Sequence, residues 1–272
     1  MSSAAGNSEY RTPLAPPSSI IPDPWHSMRS NTSARIALGR TGGSLPTAEL
    51  LDFQLAHARA KDAVWQEFDA LGLARELAGL GWPTAVADSA AESRPAYLQR
   101  PDAGRRLSPE SRQRLVSQCT AKTPPDLAVI VSDGLSALAA HRQVLPLLAA
   151  WWPLLEQSGW RLAQLIVVRH GRVAIQDEVG ELLCARAAVI LLGERPGLGS
   201  PDSLGAYMVF GPRMGRTDAE RNCLSNIRPE GLPPAMAAAR LHRLLDLALR
   251  QQLSGVGLRH HGDEFIRQIH AE

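Results

Sequence analysis

Residues 126–131 read Asp-Leu-Ala-Val-Ile-Val and run straight into Ser132, Asp133 and Gly134. A short apolar run rich in β-branched side chains, closed by turn-forming residues, predicts a strand buried on both faces. Two runs of the same kind follow, at 162–168 (LAQLIVV) and 187–192 (AAVILL), and 207–210 reads as a further strand. Between them the pattern is helical, over 135–157 with Pro146 and Pro153 as candidate kinks, and over 176–184. A last helix is expected at 233–252, stopping at Ser254-Gly255. Buried strands alternating with helices predict a parallel sheet in an α/β layer.

Upstream the character changes. From 47 to 80 the apolar residues Leu50, Leu51, Leu55, Ala58, Val64, Trp65 and Phe68 recur mostly at helical spacing, with Thr47 as a plausible N-cap. Residues 89–107 read as a loop carrying the basic string RPDAGRRL, and Ser108-Pro109-Glu110 opens another helix. The first thirty residues are polar and hold Pro13, Pro16, Pro17, Pro22 and Pro24. They bury too little surface to offset their ordering entropy, which predicts a mobile tail or an extended arm.

Composition excludes several classes. The 272 residues carry a net charge of +2, too close to neutral to argue for nucleic acid or an acidic membrane. Cys119, Cys184 and Cys223 stand far apart with no C-x-x-C pair, against a disulfide framework or structural zinc site and in favour of a reducing cytosol. The longest apolar stretch, 144–155, is short and broken by prolines, and the start of the chain lacks a signal-peptide core. A soluble, intracellular protein is expected.

In open parallel sheets ligands bind beyond the carboxyl ends of the strands, and three segments fall there. Ser132-Asp133-Gly134 is either a ligand-contacting turn or the turn and N-cap of the next helix. Arg169-His170-Gly171-Arg172-Val173 is either an approach to anionic or amide groups or a solvated basic loop. In 193–201, Gly193, Gly197 and Gly199 let the backbone approach a large flat ligand, while Glu194 reads equally as a solvated residue beside Arg195. This is neither a P-loop nor the dinucleotide fingerprint. Residues 221–227 group small polar side chains around Cys223, whose default reading is a buried, inert thiol.

The strings SDGLSALAA (132–140), VRHGRVAIQDEVGELL (168–183), GERPGLGSPDSLGAY (193–207) and NCLSNIRPEG (222–231) resemble the small subunit of ethanolamine ammonia-lyase. DFQLAHARAKDAVW (52–65) and RPDAGRRL (100–107) are similar to it too, in the same order. The resemblance implies an adenosylcobalamin enzyme that converts ethanolamine to acetaldehyde and ammonia by radical chemistry. A TIM-barrel large subunit would hold the substrate, and this chain would close over the other side of the cobalamin, inactive alone. The family's cobalamin-contacting positions fall on Val173, Glu194 and Cys223, with no catalytic residue and no metal ligand in this chain. No histidine lies in the D-x-H-x-x-G pattern of proteins that displace the cofactor's lower base, so that base is expected to stay on cobalt.

The combined expectation is an α/β fold, a Rossmann-like parallel sheet flanked by helices. Its parts would be a tail at 1–30, a mostly helical region at 31–120 and a cobalamin-contacting domain at 121–272. The partner would be the large subunit in a hetero-oligomer, with no nucleic acid and no membrane. The location would be cytoplasmic, with enclosure in a bacterial microcompartment left open. A non-catalytic α/β binding or scaffold module is the alternative from another class. A dinucleotide oxidoreductase would need more than Gly134 in the first turn.

Overall fold

The computed structural model describes residues 20–32, 34–118 and 123–258. Cys119, the tail up to residue 19 and the basic segment Arg259-His260-His261 lie outside the described residues. The chain divides after Ala56 into two compact units. In the first, Ile21 and Arg40 exchange both backbone hydrogen bonds at 2.7 and 3.0 Å, flanking a 3₁₀ turn at His26–Asn31. Arg29 pairs with Glu49 at 2.9 Å, in the first turn of helix α1 (Thr47–Trp65).

The second unit holds the rest of the regular structure. After α1 come α2 (Ala70–Gly79), β1 (Thr84–Asp88), α3 (Arg94–Gln99) and α4 (Pro109–Gln118). Then follow β2 (Leu127–Ser132), α5 (Ala137–Ser158), β3 (Leu165–Arg169), α6 (Ile175–Leu182) and β4 (Ala187–Gly193). The chain continues through β5 (Leu204–Phe210), β6 (Asn222–Ile227) and α7 (Pro234–Gln251). The six strands form one sheet in the order β1-β3-β2-β4-β5-β6.

The sheet is mixed, which corrects the expectation of a parallel one. β1, β3, β2 and β4 run parallel, but β5 is antiparallel to β4 and β6 antiparallel to β5. No helix crosses over between β4 and β5, so the chain returns directly beside the strand it has just left. The sheet also draws an edge strand, β1, from residues between the stretches read as helix (47–80) and loop (89–107), to which the sequence reading gave no element.

Strands β2 and β4 are buried throughout, as their unbroken apolar runs require. Alternate side chains serve two cores. Val129, Val131, Val167, Val189 and Leu191 pack with Leu147 and Trp151 of α5 and Leu241 and Leu245 of α7. Ala128, Ile130, Ile166, Val168 and Ile190 pack with Ile175 and Val179 of α6 and Leu115 of α4. Thus α5 and α6 lie on opposite faces, as right-handed crossovers demand when the chain steps from β2 to β3 and then back past β2 to β4.

Local chemistry fixes the helix ends. Ser136 Oγ accepts from Ala139 N at 3.1 Å and caps α5, so the cap is Ser136 and not the Ser132-Asp133-Gly134 turn itself. Helix α5 runs unbroken through Pro146 and Pro153. Both prolines are exposed, so the carbonyls they leave unpaired face water. Helix α7 closes on Gln252 in the left-handed region (φ +57), two residues before the expected Ser-Gly stop.

Candidate active-site crevice

The connections from β2 and β4 part in opposite directions along the sheet, β2 leading to β3 and β4 to β5. Such a reversal opens a crevice at the carboxyl ends of the two strands. The walls meet closely there. Leu135 N donates to Gly193 O at 2.9 Å, and a Cβ on Gly134 (φ +51) would lie 2.2 Å from the same oxygen. Only glycine fits at 134.

A cavity of about 940 Å³ extends from this crevice. Leu135, Leu192, Gly193 and Glu194 line its inner end, and Arg172, Val173 and Ala174 bring in the turn that precedes α6. Tyr207 of β5, Cys223 of β6 and the loop residues Arg216, Thr217, Asp218 and Arg221 form another wall. Tyr97 and Arg105 complete it. Val173, Glu194 and Cys223, which sequence reasoning singled out on separate segments, therefore line one cavity.

Glu194 is not a solvated neighbour of Arg195. Its carboxylate accepts from Ser203 Oγ at 2.5 Å, Ser225 Oγ at 2.6 Å and Asn226 N at 3.1 Å. The β5–β6 register shifts between Leu204 and Ala206, and the Glu194 carboxylate takes up the strand amide of Asn226 beside that irregularity. A carboxylate offers about four lone-pair positions, so roughly one remains for a ligand N–H.

Cys223 is exposed, which corrects the buried reading, and stands opposite Tyr207 in the ladder. Burial, then the neighbouring Cys223 and Glu194, push the Tyr207 hydroxyl above its ordinary range. Val173 is half-buried. Beside it the Arg172 guanidinium lies 4.3 Å from the centre of the Tyr97 ring and donates to Tyr97 O at 2.8 Å. Burial pushes the Tyr97 hydroxyl up to about 12, with Arg172 opposing, so it stays protonated.

Behind the cavity, Asp133 organises the carboxyl ends of β2 and β3. Its side chain, 1% exposed, accepts from His170 N (2.7 Å), Arg94 Nη1 (2.9 Å) and Ser132 Oγ (3.1 Å), and His170 Nδ1 lies 3.2 Å away. Gly171 N donates to Ser132 Oγ at 2.9 Å. The basic loop is thus held by specific partners, with His170 in the left-handed region (φ +57).

Arg221 is the buried cation of the wall. It pairs with Asp177 of α6, and its Nη1 donates to Thr217 O at 2.5 Å, whereas its buried Nε has no hydrogen-bond partner among the described residues. Burial pushes the Asp177 carboxyl up to about 6 despite Arg221. Sequence reasoning missed Tyr97, Asp177 and the pairing of Arg221. A lone tyrosine in a presumed loop and a charge on a short helix give no local signal.

A mixed α/β chain with a large, partly ionic cavity at the switch point of its parallel strands belongs to the crevice-bearing α/β class. The chain belongs to the ethanolamine ammonia-lyase light chain family, whose profile matches residues 22–259. It is 54% identical over 241 residues to the ethanolamine ammonia-lyase small subunit of Pseudomonas fluorescens SBW25, covering 88% of this chain and 87% of that one. The corresponding small subunit of Pseudomonas putida KT2440 is 53% identical over 253 residues, covering 92% and 90%. That of Azotobacter vinelandii is 54% identical over 238 residues, covering 87% and 88%. The chain is an ammonia-lyase subunit.

Proposed function

We propose that this chain is the cofactor-holding small subunit of an adenosylcobalamin-dependent ethanolamine ammonia-lyase that converts ethanolamine to acetaldehyde and ammonia. The large subunit carries the substrate site. The observation that carries the reading is the convergence of Val173, Glu194 and Cys223, from three separate elements, on one cavity at the β2/β4 switch point. We read β1–β4 with their helices as a Rossmann-like unit, to which β5 and β6 add a wall.

The residues present suit a large ligand rich in amide groups. The cavity is at the upper end of the range for small-molecule sites and open enough to take one side of a macrocycle. Val173 and Leu135 offer apolar contact, Glu194 a fixed acceptor for an N–H, and Arg221 an unpaired Nε in the wall. When bound, the cofactor supplies the radical chemistry. This chain binds and orients it and excludes water. Tyr97 and Tyr207, both held protonated by burial, do not act as bases near neutral pH.

Among the described residues no helix is long and apolar enough to cross a membrane. A cytoplasmic hetero-oligomer follows from the proposed function, while enclosure in a microcompartment rests on the resemblance alone. The test is ethanolamine deamination by this chain co-expressed with the large subunit. Turnover should require both chains and adenosylcobalamin. Full turnover by the large subunit alone would refute the reading and leave an accessory scaffold module.

A further inference from the structure

Five arginines line the cavity, and acids match only two of them. Arg216 pairs with Glu220, and Arg221 pairs with Asp177 and, at 3.6 Å, with Asp218. Glu194, the remaining carboxylate of the lining, is taken by Ser203, Ser225 and the Asn226 amide. Arg105, Arg172 and Arg195 make no ion pair among the described residues. Unmatched guanidinium groups in one concave wall make a positive field that favours an anionic ligand.

Two of these three arginines are fixed side by side. Arg172 N donates at 2.7 Å to Gly104 O, in the 3₁₀ turn Ala103–Arg105. Gly104 is buried, and a Cβ there would lie 3.0 Å from Arg172 Cγ and from His170 O, and 3.1 Å from the Tyr97 ring. The missing side chain lets the turn close on Arg172 and Tyr97, which brings Arg105 next to both.

The same place holds donors that the chain leaves unused. Arg172 spends one nitrogen on Tyr97 O and lays its guanidinium over the Tyr97 ring, but its buried Nε has no partner among the described residues. Tyr97 is 1% exposed and lines the cavity, and its hydroxyl has no hydrogen-bond partner among the described residues. Burial keeps that hydroxyl protonated, so it is a donor at neutral pH. Asp133, the carboxylate near the ring, is already held by Arg94, Ser132 and the His170 amide. Buried donors without an acceptor cost stability unless a ligand supplies one. These donors come from three separate segments, which suits the tetrahedral oxygens of a phosphate group better than the planar pair of a carboxylate.

We propose that Arg105, Arg172 and Tyr97 form a subsite for a phosphate or phosphate-ester group in this cavity. The group belongs either to the cofactor proposed above, whose nucleotide tail carries a phosphodiester, or to a separate phosphate ester. The first source rests on the cofactor reading; the subsite itself does not.

Inorganic phosphate is titrated into the full chain at low salt, without cobalamin, and followed by calorimetry. Wild type is compared with Arg105→Gln, Arg172→Gln and Tyr97→Phe. Wild type should bind phosphate, and each arginine variant should bind it about tenfold or more weakly, as expected for a charged hydrogen bond. Tyr97→Phe should weaken it about threefold or more. Arg105 is exposed, so its variant tests the subsite even if Arg172→Gln fails to fold. No phosphate binding by wild type, or unchanged binding by Arg105→Gln, would overturn the proposal. Acetate binding as tightly as phosphate would overturn the phosphate assignment.

A second titration, on the assembled enzyme, identifies the source by comparing adenosylcobalamin with adenosylcobinamide, which lacks the phosphodiester. If the tail fills the subsite, Arg105→Gln weakens adenosylcobalamin alone. If the variant loses phosphate but binds both cobalt compounds normally, the subsite serves a separate ester. The first titration uses no cofactor, so its failure is distinguishable from failure of the cofactor reading.

Discussion

Replacing Asp133 with alanine removes the group on which the ends of β2 and β3 depend. Its carboxylate, 1% exposed, serves Arg94, Ser132 and the backbone N–H of His170, with the His170 ring also in reach. Arg94, only 12% exposed, would keep Gly134 O but lose its counter-charge. Ser132 Oγ still serves Gly171 N, so its loss is small. Stranding a buried cation costs about 3–5 kcal/mol, and losing the bond to His170 N adds to the upper end of that range. Against a total stability of about 5–15 kcal/mol, this is a large fraction. In a protein this size each kcal/mol is worth about 2–4 °C, so the melting temperature should fall by roughly 10 °C. Urea unfolding followed by tryptophan fluorescence measures the free energy, and Asp133→Asn, which keeps the shape but not the charge, should fall between. A loss below about 1 kcal/mol in the alanine variant would refute the reasoning.

Gly134→Ala should destabilise by at least about 2 kcal/mol, because it adds left-handed strain and a Cβ against Gly193 O; a neutral melt would contradict the close approach. Asp177, pushed up to about 6 from 3.8, sets a pH dependence. The unfolded state gives up this proton first, so its contribution is complete below about pH 3.8 and lost as pH rises through about 6. Wild type should therefore lose stability relative to Asp177→Asn between pH 4 and 7, and a gap independent of pH would contradict a raised carboxyl. The absorption and spin-resonance spectra of bound cofactor should show its own base on cobalt, and a histidine signature would refute that expectation.

What the sequence disclosed follows burial. The runs at 126–131, 162–168 and 187–192 announced β2, β3 and β4 because strands covered on both faces must be continuously apolar. Both edge strands escaped notice. β1 is the short, alanine-containing TAVAD, and β6 is NCLSNI, polar because much of it meets solvent. The antiparallel turn of β5 and β6 left no mark either, since local pattern does not encode strand direction. Helix α1 was legible as a helix, yet its leucines face outward, because periodicity shows a face without saying what covers it.

The candidate site divides in the same way. Gly193-Glu194 and Val173 follow apolar strands, so position alone flagged them, whereas Cys223 came from the family resemblance. The Glu194–Asn226, Asp133–His170 and Asp177–Arg221 contacts join residues 32, 37 and 44 positions apart, and only the fold brings them together.

The most direct test of the central claim is titration of the assembled enzyme with adenosylcobalamin, comparing wild type with Val173→Trp, which narrows the cavity, and Glu194→Gln, which removes the charge of the fixed acceptor. The account predicts that both weaken cofactor binding about tenfold or more while assembly persists. Wild-type affinity in both variants would place the cofactor elsewhere and contradict it.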